Sequence, residues 1–241
     1  MKSFTVIYFK KYIASIVIAL AVLCVGAVAL FGKTSSTYVA NNVIKDVYYS
    51  GDTEGKNVSL MINVYWGDEY LEDMLDTLKE NNVKVTFFLG GIWAVKNEKM
   101  IERMAKDGHE IANHGYSHKD CDKLSKPQVK DEISKTHDIV KGFLGVDMDL
   151  FMPASGAYNE TTVEVAKEMG YKTIMWSKDT IDWRDQNKDL IVSRATKNAS
   201  GGDLILMHPT LETKNALPEI IEYYQNSGFN LTTVSKNIKI L

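Results

Sequence analysis

Residues suited to metal and proton chemistry gather in three places along the chain. His114 and His118 stand four residues apart in HGYSH. That spacing sets two imidazoles on one side of a helical turn, where they could chelate one ion. Two imidazoles are an incomplete set, because zinc usually takes three protein ligands and a water. The other reading is a pair of loop histidines in ordinary hydrogen bonds. Downstream, DTIDW (179–183) supplies Asp179, Asp182 and Trp183, and LILMH (204–208) ends in His208. Asp179 reads as a turn residue, with a ligand-facing acid as the alternative. Asp68 and Glu69 read as acids in the first turn of a helix beginning near Tyr70, with a carboxylate swung toward the histidines as the alternative. His109 reads as structural, His137 as a solvated position on a charged helix, and Cys121 as an ordinary small loop residue.

Strands must deliver these residues. Short apolar, β-branched-rich runs recur at 58–64, 83–89, 109–113, 149–152, 171–177, 203–208 and 229–235. They are near-continuous rather than alternating, the pattern of strands buried on both faces. Helical periodicity lies between them: Leu71, Met74, Leu75 and Leu78 have i, i+3, i+4, i+7 spacing, and Pro127 opens a helix carrying Val129, Ile133 and Val140 on one side. Seven strands alternating with helices indicate parallel α/β architecture. No G-x-G-x-x-G or P-loop follows the first strand, so a nucleotide-binding sheet has no support. The chemistry sits just past the strand ends: Asn63, Tyr65 and Trp66, then His114 and His118, Pro153, Asp179 to Trp183, and His208. A barrel predicts that distribution.

Composition bounds the partners. Of 241 residues, 45% are hydrophobic and 24% charged, which fits a globular protein, and the net charge of −3 gives no basic excess for nucleic acid. Residues 1–33 hold +4 and no acid, leaving −7 on 34–241. The run YIASIVIALAVLCVGAVALF (12–31) carries no charge and matches the ~20 residues that cross a hydrocarbon core. With lysines before it, the positive-inside rule predicts a cytoplasmic tail (1–11), a single transmembrane helix (12–32), a spacer (33–56) and a body (57–241) outside the cell membrane. The alternative is a signal peptide cut near Ala27-Val28-Ala29, with a secreted body.

The stretch GHEIANHGYSH (108–118) resembles the second motif of the polysaccharide deacetylase family with NodB homology, carbohydrate esterase family four. The resemblance runs over 57–241, in that family's order. VTFFLGGIWA (85–94) looks like its second strand, FMPASGAYN (151–159) is similar to its Arg-Pro-Pro-Tyr-Gly segment, and DTIDW and LILMH resemble its last two motifs. The resemblance implies a distorted seven-stranded (β/α) barrel that removes acetyl from N-acetyl sugars of a cell-wall glycan. It implies a divalent ion, typically zinc, on one Asp and two His, the latter being His114 and His118. A second Asp would be the base, His208 the proton donor oriented by Asp182, and Leu206 and Trp183 the lining of the acetyl slot. Pro153 falls in the substrate-binding segment, and Trp66, Trp93 and Trp176 are aromatics that could stack on sugar rings.

The first motif departs from the family's Thr-Phe-Asp-Asp-Gly. Aligned by the strand, Asn63 takes the place of the base and Val64 that of the metal Asp; aligned by Gly67, Tyr65 and Trp66 stand there. Neither register supplies an acid. Met152 occupies the place of the family's Arg, a consistent loss, since a buried guanidinium without its carboxylate costs roughly 3–5 kcal/mol. Two functions therefore stay open: a deacetylase with an altered site, or a wall-glycan-binding protein that kept the groove and lost the chemistry.

Overall fold

The computed structural model describes residues 46–239. The run 12–31, the tail before it and the first part of the expected spacer lie outside the described residues. The strands are β1 (Val47–Tyr48), β2 (Asn57–Val64), β3 (Thr86–Leu89), β4 (Glu110–Asn113), β5 (Leu150–Phe151), β6 (Lys172–Ile174), β7 (Lys178–Asp179), β8 (Leu204–Met207) and β9 (Asn230–Leu231). Their order in the sheet is β1-β6-β5-β4-β3-β2-β8-β7, with β9 against the start of β2, and every ladder is parallel.

Alternation explains the continuous apolar runs. Along β2, Val58, Leu60, Ile62 and Val64 face an outer core under the helices, while Met61 faces an inner core with Phe88, Met152, Leu204 and Leu206. Asn63 follows Met61 by two, so it shares the inner face. The helices α1 (Asp68–Glu80), α2 (Gly91–Ala94), α3 (Glu98–Lys106), α4 (Lys126–Leu144), α5 (Glu160–Glu168), α6 (Lys188–Thr196) and α7 (Leu211–Asn226) cover the outside, and α1 buries the expected Leu71, Met74, Leu75 and Leu78. Helix α4 (Lys126–Leu144) opens with Pro127 in its first turn and with the Ser125 N–H donating to the Gln128 side chain at 2.9 Å.

Three expectations are corrected. Among the described residues no ladder joins β1 to β7, so the closed seven-stranded barrel is a half-barrel. Its ends meet in one run of chain, because residues 172–179 bend after β6: the Met175 N–H pairs with Tyr48 at 2.8 Å, the Ser177 N–H with Leu204 at 3.0 Å. The run 229–235 is a strand only at β9, since residues Val234–Asn237 turn into a short helix. Residues 46–56 are not spacer. Val47 pairs with Thr173, and the Gly51 N–H reaches the Gly202 carbonyl at 2.7 Å. A side chain at Gly201 would collide with the Gly55 carbonyl, so the polar, glycine-rich composition is packing chemistry.

Candidate functional site

The carboxyl ends of β2, β4, β5 and β8 open on one cavity of about 340 Å³, lined by Asn63, Tyr65, His114, His118, Trp176 and His208, with Asp179, Trp183, Leu206, Ser155 and Gly156 at its walls. The sequence-derived histidines and the Asp182–His208 pair therefore meet at one mouth. His114 leaves the end of β4 with its N–H on the Leu89 carbonyl at 2.9 Å. His118 reaches it by a loop rather than the expected helical turn: Gly115 and His118 both take left-handed backbone (φ 77° and 55°). Buried Glu132 of α4 anchors that loop, accepting the Tyr116 and Ser117 N–H groups at 2.9 and 2.7 Å. The two imidazole centroids lie 5.2 Å apart.

The base half of the site is filled by neutral groups. His114 Nδ1 lies 2.8 Å from the Met152 carbonyl, an acceptor only, so Nδ1 carries the proton and Nε2 presents its lone pair. That lone pair receives the Asn63 Nδ2 at 3.3 Å, and the same amide nitrogen lies 3.2 Å from Met152 Sδ. Asn63 thus stands beside the residue in the Arg position, as the strand alignment requires. Its Oδ1 is buried without a partner. Val64 turns into the outer core, fully buried, and does not face the imidazoles. Tyr65 does, stacking on His118 with centroids 3.8 Å apart and 26° between planes. Each alignment is right for one residue. Burial, then the charge of His118, pushes His114 down to about 3, and burial also lowers His118, so both rings are neutral near pH 7.

The acid half is complete. His208 Nδ1 meets Asp182 Oδ1 at 2.8 Å, and Asp182 Oδ2 accepts the His208 backbone N–H and the Thr213 hydroxyl, both at 2.6 Å. Thr213 was not foreseen: it lies on α7 (Leu211–Asn226), and only folding brings it to Asp182. Trp66 lies parallel to the His208 ring, 3° between planes and 6.1 Å between centroids.

Other expectations divide. Leu206 and Trp183 line the cavity, Trp183 at 55% exposure on its rim. Pro153 is buried behind the wall, and its neighbours Ser155 and Gly156 line the space instead. Trp66 borders adjoining clefts rather than the cavity itself. Asp179 makes the expected turn, accepting the Ile181 N–H at 2.8 Å, yet it also faces the cavity, where burial raises its pKa. Asp68 accepts a hydrogen bond from the Trp93 indole and Glu69 is exposed, so neither carboxylate is turned to the histidines. His109 is structural, its Nδ1 accepting the Val85 N–H at 3.2 Å. His137 is not simply solvated, because its ring nitrogens meet Tyr171 and Asp147 at 2.5 and 2.9 Å. Burial pushes the Cys121 thiol up to about 12, leaving it inert.

Residues 50–174 match the family profile described as polysaccharide deacetylase. The chain belongs to that family. It is 38% identical to the Bacillus subtilis protein YlxY over 78% of this chain, and it spans 59% of that relative's length. A Bacillus cereus peptidoglycan-N-acetylglucosamine deacetylase is 31% identical over 77% of this chain and 70% of its own. Among solved structures, the family-four pseudoenzyme BA3943 of Bacillus anthracis superposes with a TM-score of 0.78 at 33% identity, covering 80% of this chain and 68% of that one. A mutant form of BA3943 has restored enzymatic activity.

The divalent ion that the family implies does not fit the residues present. Among the described residues no three His, Cys, Asp or Glu side chains are grouped to hold a metal. One of the two imidazoles has its lone pair occupied by the Asn63 amide, and the residue facing the other is the uncharged Tyr65, which supplies no carboxylate. A structural or catalytic zinc site needs at least three protein donors.

Proposed function

We propose that this protein is a cell-wall glycan-binding member of the deacetylase family, held outside the cell by its apolar leader, which receives an N-acetyl sugar in the histidine cavity without hydrolysing it by the family's metal-assisted route. The observation that carries this reading is the pair of substitutes in the base half: the Asn63 amide on His114 and the Tyr65 ring on His118. An amide cannot take a proton from water as a general base, and the Tyr65 ring brings no carboxylate to complete an ion's ligand set beside His118. Binding keeps its support in the cavity itself, where Leu206 and Trp176 offer apolar walls and Asp179 and His208 offer polar groups. The extracytoplasmic location rests on the uncharged run 12–31 and its preceding lysines. A second reading, the altered hydrolase, draws support from the intact His208–Asp182 pair.

The test uses the full chain incubated with zinc, then freed of unbound metal. Retained zinc is measured by elemental analysis, acetate release from N-acetylglucosamine oligomers and peptidoglycan by coupled assay, and binding to the same glycans by sedimentation. Glycan retention with no acetate release supports the proposal. Acetate release that disappears in His118→Ala or His208→Ala would overturn it in favour of the hydrolase.

A further inference from the structure

Besides Glu132, the side chain of Asn113 holds the loop that carries His118. Asn113 is the last residue of β4, and its Oδ1 accepts the Gly115 N–H at 2.9 Å. That bond fixes the left-handed turn by which the chain leaves His114 for His118. Asn113 is itself wholly buried, and its Nδ2 donates to the Ile133 carbonyl at 2.8 Å and to the Tyr171 phenol oxygen at 3.3 Å. A carbonyl on one side of the amide and an N–H on the other settle which way it points.

A chain of hydrogen bonds runs from there to the surface. The Tyr171 oxygen receives the Asn113 amide, so its own hydrogen goes to His137 Nδ1, 2.5 Å away. Burial pushes the phenol up to about 12, so it keeps that hydrogen at neutral pH. His137 Nδ1 is then an acceptor, and Nε2 carries the ring proton and donates to Asp147 Oδ1 at 2.9 Å. This tautomer of the neutral ring satisfies every member of the chain. The His137 side chain is 20% exposed and that of Asp147 66%, so solvent reaches the outer end while Tyr171 stays buried. Lys141 shares the Asp147 oxygen at 2.6 Å. Asp138 and Asp149 stand near Tyr171, Asp149 being paired with Lys172 at 3.3 Å.

A second proton on His137 has no place in this chain. It would sit on Nδ1, facing the phenol hydrogen, and the other neighbour of the Tyr171 oxygen among the described residues is the Asn113 amide, a donor as well. Either the phenol hydrogen is left unpaired in the interior, or the Asn113 amide is pushed aside and its hold on Gly115 slackens. We infer that His137, in its neutral form, is a positioning residue for the His114–His118 loop, acting through Tyr171 and Asn113, and that a second proton on its ring loosens that loop. The coupling holds or fails independently of glycan binding, because the loop can be read with no ligand present.

Hydrogen exchange of the full chain tests the inference, read at the Gly115 amide by mass spectrometry with fragmentation. It is measured at about pH 7.5 and about pH 5, on either side of the range in which imidazoles titrate, and corrected for the intrinsic pH dependence of exchange. Protection in the native chain should fall about tenfold at the lower pH. His137→Asn keeps an uncharged acceptor for the phenol and should hold the higher protection at both pH values. Tyr171→Phe cuts the chain and should show protection about tenfold below native at the higher pH, with no further fall at the lower. His137→Leu repeats the cut should Tyr171→Phe melt early. Equal native protection at the two pH values, a fall that persists in His137→Asn, or a loop that the cut leaves unmoved overturns the inference.

Discussion

The two halves of the histidine cavity have met different fates. On one side Asp182 has all its partners, with His208 Nδ1, the His208 N–H and the Thr213 hydroxyl within 2.8 Å. On the other, Asn63 has given its nitrogen to His114 and left its oxygen orphaned in the interior. The difference lies in what each residue holds besides chemistry. Asp182 ties the end of β8 to α7, so losing it strands three donors in a buried place. The base half carries no comparable duty, and once its acid is gone the neighbouring Met152 fits better than a cation. Persistence of the His208–Asp182 pair therefore needs no catalytic explanation.

The largest expected effect breaks or upholds that contrast directly. Asp182→Ala should cost about 3–5 kcal/mol of stability, because it strands three buried donors at roughly 1–3 kcal/mol each. Asn63→Ala, which removes a long hydrogen bond to His114 and a weak one to Met152 Sδ, should cost about 1 kcal/mol. Urea denaturation of both variants checks this. Similar costs at the two positions would mean that Asp182 is held in place by function rather than by structure.

Rebuilding the weaker half sharpens the comparison. Asn63→Asp with Tyr65→Asp should raise zinc affinity roughly a hundredfold, about 2.7 kcal/mol, because both positions face the imidazoles and together bring the set to four donors. Asn63→Asp with Val64→Asp follows the family's consecutive acids in sequence, yet Val64 points into the outer core. That pair should lose stability through a buried carboxylate and gain little zinc. Competition against a chromogenic chelator measures both. Greater gain from the Val64 variant would reverse the assignment of faces.

Particular residues explain what could be read in advance. The apolar runs gave strand positions because a parallel sheet buries both faces, and His114, His118, Asp182 and His208 follow strand ends. Strands β1 and β7 were invisible, since two-residue ladders have no periodicity and polar sequences such as YYSGDTEG read as turns. The Tyr65 stack was lost between two alignments that each assumed an undisturbed motif. Thr213 had no local signal at all, because its partner lies 31 positions earlier. Turns and strand ends are legible where chemistry is consecutive, and illegible where a side chain finds its partner across the fold.

Histidines outside the cavity give the smallest effect near neutral pH and separate the site from the scaffold. Burial, then the charge of Lys84, pushes His109 down to about 4 in the folded chain, whereas the unfolded chain has the ordinary value near 6.5. Below 6.5 the unfolded state binds a proton that the folded state refuses, so stability falls as pH drops toward 4 and the loss then levels off. His114, held down to about 3, contributes over a window reaching further into acid. His109→Asn keeps an acceptor for the Val85 N–H and removes the titration. It should reduce the acid slope between pH 6.5 and 4, sparing about 3 kcal/mol at pH 4, while the share from His114, which runs on to about pH 3, persists. Denaturation midpoints across that range check it. If the slope between 6.5 and 4 survives unchanged, the proton uptake there belongs to the cavity histidines, and the scaffold makes no separate contribution.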